Sequence, residues 1–294
     1  MDRSQQSNTK LKVIWVYENI EKNLNFYSKL DLLLLLSSIS LWKRNHREDT
    51  CVLYCDEMSY DVLYKLKVIE FWDEVLPIPN PKKINKSVFW ASSKLQVLSE
   101  VKDPVILMDH DTHIYKPFKQ FLDLDKVYVT NFEKGQNFYP NSTDKYIKQL
   151  SYKPRWQTDS VNVSFLNLPD PTFTQEYANL SLQLMEELTA IKAPNPQYLI
   201  FSEQLLLKHL LLKTNIQHSS IISTYWDCKK WDWGEDHNQG LWPFNDSYKY
   251  FKHYGPLKGA IKDSREGESY NGEIIHLKNC IKMPNLDLSN IKNK

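Results

Sequence analysis

The chain has 294 residues, and its 37 lysines and arginines almost balance its 36 aspartates and glutamates, so the formal net charge is +1 at neutral pH. Hydrophobic residues make up 41% and charged residues 25%, a globular balance that excludes a wholly disordered chain. The near-neutral charge argues against a protein that grips nucleic acid mainly through its phosphates, because such binding needs a basic excess.

The first 130 residues alternate between strand-like and helix-like segments. The expected order is a strand at Lys12–Tyr17, a helix at Leu24–Arg44, a strand at Cys51–Cys55, a helix at Ser59–Lys67, a strand at Glu74–Ile78, a helix at Ser87–Glu100 and a strand at Val105–Met108. The last of these, VILM, is fully apolar, as expected of a central parallel strand. This order predicts an α/β sheet with parallel strands, which binds ligands at the carboxyl ends of its strands.

The second half is less regular, and no long linker divides it from the first. We expect strands at Lys126–Asn131, Val161–Leu168 and Glu273–Leu277, helices at Thr174–Thr189 and Ser202–Lys213, and an aromatic-rich loop from Tyr225 to Phe251. The sequence therefore predicts a single domain over residues 1–294 with two functional halves.

The expected location follows from what the chain lacks. Its first residues, MDRSQQSNTK, contain no apolar run of the kind found in signal peptides, and its longest apolar stretch is shorter than the roughly 20 residues of a membrane span. Four scattered cysteines are too few for a disulfide framework. We therefore expect a cytoplasmic protein without a transmembrane segment.

Phosphate binding, if present, cannot rely on a glycine-rich loop. The chain has only 7 glycines and contains neither GxxxxGK[ST] nor GxGxxG. Asp109 and Asp111, by contrast, follow directly on the VILM strand, where two carboxylates can reach one divalent cation that in turn holds a diphosphate. A second such pair, Asp123 and Asp125, follows no apolar strand and is interpreted as solvated loop. From the pattern alone, a metal site and a solvated strand end both remain open for Asp109 and Asp111.

Five short stretches, in order along the chain, carry a resemblance to a known family. They are FWASSKLQVL, VILMDHDTHIYKPF, SVNVSFLNL, SEQLLL and HLKNCIK. The second resembles the strand–DxD–strand element of GT-A glycosyltransferases. Together they resemble the retaining family 8 enzymes, of the glycogenin and bacterial lipopolysaccharide galactosyltransferase type, and related uncharacterised families.

The resemblance implies a GT-A type fold, which is a Rossmann-like, mixed and mostly parallel sheet flanked by helices. It implies a nucleotide-binding half over about residues 12–131 and a sugar- and acceptor-binding half over about 132–284. It also implies that Mn²⁺ or Mg²⁺ is bound by Asp109, Asp111 and His276. A lone histidine in a strand is more often a hydrogen-bonded core histidine, and only Lys282 and the upstream carboxylates favour a metal role for His276.

The same resemblance implies a donor site. Lys94, Asp109 and Lys282 bind the nucleotide-sugar, and Tyr17 either stacks on the base or belongs to the core. The segment with Ser160 and Asn162 lines the sugar pocket, and Glu203 or Gln204 lies near the anomeric carbon. The chain departs from the family pattern at three places, which are Ser160 with Asn162, Asn279, and Met283 with Pro284.

These residues imply a metal-dependent glycosyltransferase that moves a sugar from a nucleotide-sugar, expected to be a UDP-sugar, to an acceptor hydroxyl with retention. The acceptor could be a glycan, a lipid-linked sugar, a protein or a modified nucleobase. Trp231, Asp232 and Trp233 are candidate acceptor contacts, since aromatic faces pack on sugar rings; a second small aromatic core is the alternative.

Two other functions fit parts of the pattern. A non-catalytic sugar- or nucleotide-binding relative could keep the fold without the activity. A phosphatase with an apolar strand followed by DxD would need threonine where this chain has His113, and would carry the motif earlier in the domain.

Overall fold

The structure is a computed structural model of the 294-residue chain. It describes residues 10–18, 29–79, 83–135, 139–154, 159–194, 197–227, 232–234, 251–254 and 271–281, the side chains of Lys29, 232–234 and 271–274 excepted. The chain divides into two compact units. The first unit combines Met1–Pro77, Met108–Phe121 and Asn245–Lys294, and the second combines Ile78–Leu107 and Leu122–Phe244.

A parallel three-stranded arrangement organises the first unit. Its strands β1 (Lys12–Tyr17), β2 (Thr50–Cys55) and β3 (Glu74–Pro77) lie side by side in that order, with Lys12 opposite Thr50 and Val52 opposite Glu74. Helices α1 (Lys29–Asn45) and α2 (Glu57–Lys65) connect them. Asp56 caps α2 by accepting a hydrogen bond from the backbone N–H of Ser59 at 3.1 Å, which explains why the helix begins there.

The core of the first unit lies under α1. The leucine run Leu32–Leu36 is fully buried, and the indole N–H of Trp15 in β1 donates to the Ser38 hydroxyl of α1 at 3.0 Å. A two-stranded antiparallel sheet also belongs to this unit: β5 (Thr112–Ile114) pairs with β11 (Phe251–His253). Helix α7 (Asn271–Ile281) packs against α1.

The second unit contains β4 (Val105–Met108, up to Leu107), β6 (Val127–Lys134), β7 (Ser160–Leu168), β8 (His218–Ser220), β9 (Tyr225–Asp227) and β10 (Asp232–Gly234). Its strands follow the order β10-β9-β6-β7-β4, and β8 also pairs with β6. The pairings of β6 with β8 and with β9 are parallel, whereas β6–β7 and β9–β10 are antiparallel. All four residues of β4 are buried, as its apolar sequence requires.

Helices α3 (Ser92–Leu98), α4 (Pro171–Ala190), α5 (Gln197–Ile200) and α6 (Leu206–Lys213) complete the second unit. Asp170 caps α4 by accepting from the backbone N–H of Thr172 at 2.8 Å, and Pro171 occupies the first turn, where its missing N–H costs nothing. Between α5 and α6 the chain forms a π-helical turn at Phe201–Leu205. Such turns insert an extra residue into a helix and are frequent at functional sites.

The predicted fold class is confirmed, since the chain forms a mixed, mostly parallel and Rossmann-like α/β sheet with flanking helices. One element is wrong: Glu273–Leu277 lies in helix α7 and not in a strand. The expected aromatic loop contains β9, β10 and the first residue of β11, and residues 24–28 of the first predicted helix lie outside the described part. The single-domain organisation stays a prediction, and the expected division near residue 131 falls inside the second unit.

Within the ranges that the structure describes, no helix combines the length and the apolar character needed to cross a bilayer.

A buried charge cluster ties together the loops of the first unit. The Lys119 ammonium is 3% exposed and lies 2.6 Å from an Asp49 carboxylate oxygen and 3.0 Å from a Glu48 oxygen. The same Asp49 oxygen accepts from the backbone N–H of Leu11, just before β1. Burial raises the pKa of Asp49 despite the hydrogen bond from Lys119, which shows that desolvation is the larger effect on this carboxyl.

We expect Lys119→Met to lower the free energy of unfolding by about 3 kcal/mol, because it leaves the Asp49 carboxyl buried without its partner. Lys43→Met is the matched control, since it breaks the exposed Lys43–Asp73 pair and should cost at most about 1 kcal/mol. Urea unfolding of both variants measures the difference, and equal losses would contradict the role of Lys119.

Stability should also fall in acid through His46. Burial, with the nearby Lys119 charge, lowers the pKa of His46 to about 4. Its Nε2 accepts from the backbone N–H of Phe118 at 3.3 Å, a bond that protonation would remove. Because an unfolded histidine titrates near 6.5, the unfolded chain binds the extra proton between that pH and about 4, and stability is lost as the pH falls through this window.

As the pH falls from 7 to 4, we expect the free energy of unfolding of the parent to fall by up to about 3 kcal/mol more than that of His46→Gln. The glutamine amide oxygen can accept the hydrogen bond from Phe118 and does not titrate. Urea unfolding at stepped pH gives both curves. Parallel curves for the two proteins would rule out His46 as a source of acid sensitivity.

Candidate functional site

Asp109 and Asp111 lie in the tight turn that connects β4 to β5. The backbone N–H of Thr112, the first residue of β5, donates to the Asp109 carbonyl oxygen at 3.0 Å and closes this turn. Asp109 is half-buried and Asp111 is buried at 4% exposure. Both carboxylates belong to the first unit, together with β5 and β11.

Strand β11 brings a histidine to this turn. In the antiparallel β5–β11 pair, His253 lies opposite Thr112 and Phe251 lies opposite Ile114. The backbone N–H of Tyr254 continues the pairing by donating to the Asp111 carbonyl oxygen at 3.0 Å. As a result, His253 Nε2 lies 3.6 Å from Asp111 Oδ1.

Asp109, Asp111 and His253 form a group of possible metal ligands. One ligand atom from each residue lies within 4.8 Å of the others, and among the described residues this is the group of three that does so. Two carboxylates and an imidazole are a donor set that suits a divalent ion such as Mn²⁺. Two donors at about 2.1 Å from one ion are about 3 to 3.5 Å apart, and the 3.6 Å between His253 Nε2 and Asp111 Oδ1 is slightly longer than this range.

The two other histidines near the turn contact side chains and backbone outside the group of three. His113 is fully buried, its Nε2 lies 3.1 Å from the Leu34 carbonyl oxygen, and burial lowers its pKa to about 4. His110 Nε2 lies 3.9 Å from Asp31 Oδ1, and its ring packs edge-on against Tyr17 at 5.6 Å between centroids. Tyr17 itself is 7% exposed, so the core environment is observed, and its stacking on a base stays a prediction.

His276, the histidine that the resemblance assigned to the metal, lies on helix α7. Its Nε2 lies 3.3 Å from the Tyr115 hydroxyl and 3.7 Å from the Cys280 sulfur. The structure therefore groups His253 with the carboxylates in the place expected for His276, and the metal role of His276 stays a prediction. The strand expected around His276 is wrong because the segment forms a helix.

In the second unit, two predicted donor-site residues form a buried ion pair. The Lys94 ammonium on α3 lies 3.1 Å from Glu203 Oε1, and their side chains are 16% and 6% exposed. Glu203 lies in the π-helical turn Phe201–Leu205, as does Gln204, which is half-buried. A buried ion pair is costly to desolvate. The roles of Lys94, Glu203 and Gln204 stay predictions.

Tyr177 of α4 lies behind this turn. Its hydroxyl donates a hydrogen bond to the Glu203 backbone carbonyl oxygen at 3.2 Å. This bond gives the carbonyl a partner in a turn where the regular helical hydrogen-bond pattern is interrupted. Burial raises the pKa of Tyr177 well above its ordinary value, and the Glu203 charge adds to this. Tyr177 therefore stays protonated and keeps its donor role at any ordinary pH.

The predicted sugar-pocket residues lie on β7 beside one shared carboxylate. Asn162 Nδ2 donates to Glu133 Oε1 at 3.3 Å, and the Ser160 hydroxyl contacts both Glu133 and the Tyr139 hydroxyl. Trp231 and Lys282 lie outside the described residues, and for Asp232 and Trp233 the structure describes the backbone only, as part of β10. The roles of these six residues stay predictions.

His253 is the residue that sequence reasoning missed. It belongs to the three-residue strand FKH, inside a stretch that reads as an aromatic loop. A lone histidine in such a loop matches no spacing rule, and only the pairing of β11 with β5 gives it a ligand position.

Comparisons with known proteins give a family but no established activity. No curated protein matches the chain. Among solved structures, the chain is similar to the glycosyltransferase GlyE of Streptococcus pneumoniae TIGR4, with 11% identity, a TM-score of 0.38, and coverage of 72% of this chain and 45% of GlyE. The chain thus spans less than half of GlyE. A family model described as "Family of unknown function (DUF6734)" matches residues 13–261, and the chain belongs to this family.

Proposed function

We propose that the protein is a metal-dependent glycosyltransferase that moves a sugar from a nucleotide-sugar, with UDP-sugars as the first candidates, to an acceptor hydroxyl. The observation that carries this proposal is the convergence of Asp109, Asp111 and His253 at the end of an apolar strand. Because the chain has no glycine-rich phosphate loop, a cation on these residues is the natural way to bind a diphosphate.

The three residues would bind Mn²⁺ or Mg²⁺ through two carboxylates and a neutral imidazole. When bound, the ion supplies Lewis-acid stabilisation of the charge on a departing diphosphate. The β5–β11 pairing holds His253 beside Asp111, so the ligands are preorganised by main-chain hydrogen bonds. The burial of Asp111 limits its hydration, which strengthens its attraction for a cation.

Glu203 is the candidate for charge stabilisation at the anomeric carbon. Lys94, at 3.1 Å, fixes the orientation of its carboxylate, and Tyr177 fixes the backbone of its turn. A carboxylate near an anomeric carbon stabilises the positive charge that develops as the glycosidic bond breaks. We propose retention of configuration on the resemblance of SEQLLL to the corresponding segment of the retaining family 8 enzymes.

A titration with UDP tests the metal site. We expect the parent to bind UDP more tightly with Mn²⁺ than with EDTA in isothermal titration calorimetry. Asp111→Asn and His253→Gln should each weaken the Mn²⁺-dependent part of the affinity at least about tenfold, because the first removes a carboxylate charge and the second removes the imidazole nitrogen donor.

His276→Gln is the matched control, and it should change the Mn²⁺-dependent affinity by less than about twofold. Loss of the Mn²⁺ effect in His276→Gln and not in His253→Gln would assign the third ligand to His276. Equal UDP affinities of the parent with Mn²⁺ and with EDTA would refute the metal site.

Turnover tests the role of Glu203. With a panel of UDP-sugars and Mn²⁺, we expect Glu203→Gln to lower the rate of sugar release roughly 100-fold while it keeps the Mn²⁺-dependent UDP affinity, because the lost charge acts mainly in the transition state. Glu187→Gln changes a carboxylate on α4 that bonds Ser151, and should leave the rate unchanged.

Equal rates for Glu203→Gln and the parent would remove Glu203 from the reaction. UDP binding without any turnover would identify a non-catalytic binding protein. Release of phosphate from simple phosphate esters in place of sugar transfer would identify a phosphatase.

A further inference from the structure

The second unit contains a cavity in whose described lining Ser160 is the one predicted site residue. It has a volume of about 890 Å³ and lies along β6, where this strand pairs with β8, next to α6. Small-molecule sites commonly have volumes of about 300 to 1,000 Å³. The cavity is therefore large enough for a mono- or disaccharide.

The charge of the lining favours an anion. Among the described residues, three lysines line the cavity, Lys126, Lys134 and Lys208, and the acidic lining residue is Asp159. Lys126 has an exposed ion pair with Asp123 at 3.2 Å, and Lys134 lies over the Tyr225 ring at 4.1 Å. Lysine ammonium groups are strongly hydrated point charges that suit phosphate and carboxylate groups.

Phe132 gives the cavity an aromatic surface. Its ring is half-buried, the Lys208 ammonium lies 4.5 Å from the ring centroid, and the His218 ring packs edge-on at 6.0 Å. The Lys208 ammonium lies over one face of this ring, and a cation next to an aromatic surface suits a ligand that combines an apolar face with an anionic group. Sugars that carry a phosphate or carboxylate have both.

Lys208 is positioned by His218. The Nδ1 of His218 lies 2.9 Å from the Ile216 carbonyl oxygen, so it carries the proton, and Nε2 accepts from Lys208 Nζ at 3.0 Å. Burial, together with the Lys208 charge, lowers the pKa of His218. Near neutral pH the positive charge of this pair therefore stays on Lys208, at the cavity wall.

Polar groups around the lysines fit hydroxyl recognition. Asn215 and Gln217 are exposed lining residues and Ser219 adds a hydroxyl, whereas the hydroxyl of the buried Ser160 contacts Glu133 and the Tyr139 hydroxyl. Ser160 is the predicted sugar-pocket residue that lines this cavity, whereas Asn162 does not appear in its lining.

We propose that this cavity binds a saccharide that carries an anionic group, either a phosphate or a carboxylate. Lys208, Lys134 and Lys126 contact the anion, the sugar ring packs on Phe132, and the amides and hydroxyls bind its hydroxyl groups. The proposal goes beyond the transferase activity and does not depend on the metal ligands, which belong to the first unit.

The test is calorimetric titration of the full chain in EDTA, so that no divalent ion contributes to phosphate binding. The probes are glucose 6-phosphate, glucuronate, glucose and inorganic phosphate. We expect the anionic sugars to bind and glucose to bind at least about tenfold more weakly, and the tighter of the two identifies the anion.

Lys208→Met should weaken the better probe about tenfold, because it removes one charged contact. Lys213→Met is the matched control on the same helix, since Lys213 is exposed and lies 5.5 Å from the Tyr152 ring centroid outside the cavity lining. Phe132→Leu should weaken glucose 6-phosphate and leave inorganic phosphate unchanged. Melting temperatures of all variants check that they fold.

Three results would overturn the proposal: no binding of either anionic sugar, equal affinity for glucose, or equal loss in Lys208→Met and Lys213→Met. None of them bears on the metal site, because the titration is made without metal.

Discussion

The candidate metal site depends on the antiparallel pairing of two three-residue strands, β5 and β11. They are separated by more than 130 residues in sequence, so bringing them together has a large entropic cost. The few main-chain hydrogen bonds between two three-residue strands do not offset this cost by themselves. The burial of apolar side chains next to the strands adds stability, since Ile114, Phe251 and Tyr254 are each at most 3% exposed. Apolar burial beside the turn thus holds an imidazole against two carboxylates.

Buried charge is used in two different ways in this chain. Lys119 joins the buried Asp49 and the exposed Glu48 between loops of the first unit, where it compensates for the hydration that Asp49 loses. Lys94 of α3 joins Glu203 on a π-helical turn of the second unit. Apolar residues of similar volume commonly stabilise a core as well as an ion pair does, so stability alone does not account for the charges of either pair.

The sequence predicted those parts of the fold that are local. The VILM strand, the β1 and β2 strands, and the α4 helix have apolar patterns and caps that a short window contains, and all four were expected within a few residues. It also predicted that Asp109 and Asp111 leave a strand end together. It failed where tertiary contacts decide the structure. The segment EIIHL is apolar enough for a strand, but it lies in a helix that packs on α1.

The site shows the same division. The turn with the two carboxylates can be predicted from the sequence, because the carboxylates directly follow the apolar strand along the chain. The position of His253 was not, because it follows from the register of two distant strands and from no spacing in the sequence. The Lys94–Glu203 contact is predictable only in part. The sequence places both residues at one donor site, but their direct pairing depends on how α3 packs against the helical turn.

The π-helical turn at Phe201–Leu205 has a consequence for how relatives of this chain are compared. A turn of this kind is one residue longer than the regular helix it interrupts. Since each helical residue advances about 100° around the axis, a homologue that is one residue shorter here would present a different side chain toward α3. The length of this segment, together with a carboxylate at the position of Glu203, therefore separates homologues that can build the buried lysine–carboxylate contact from homologues that cannot.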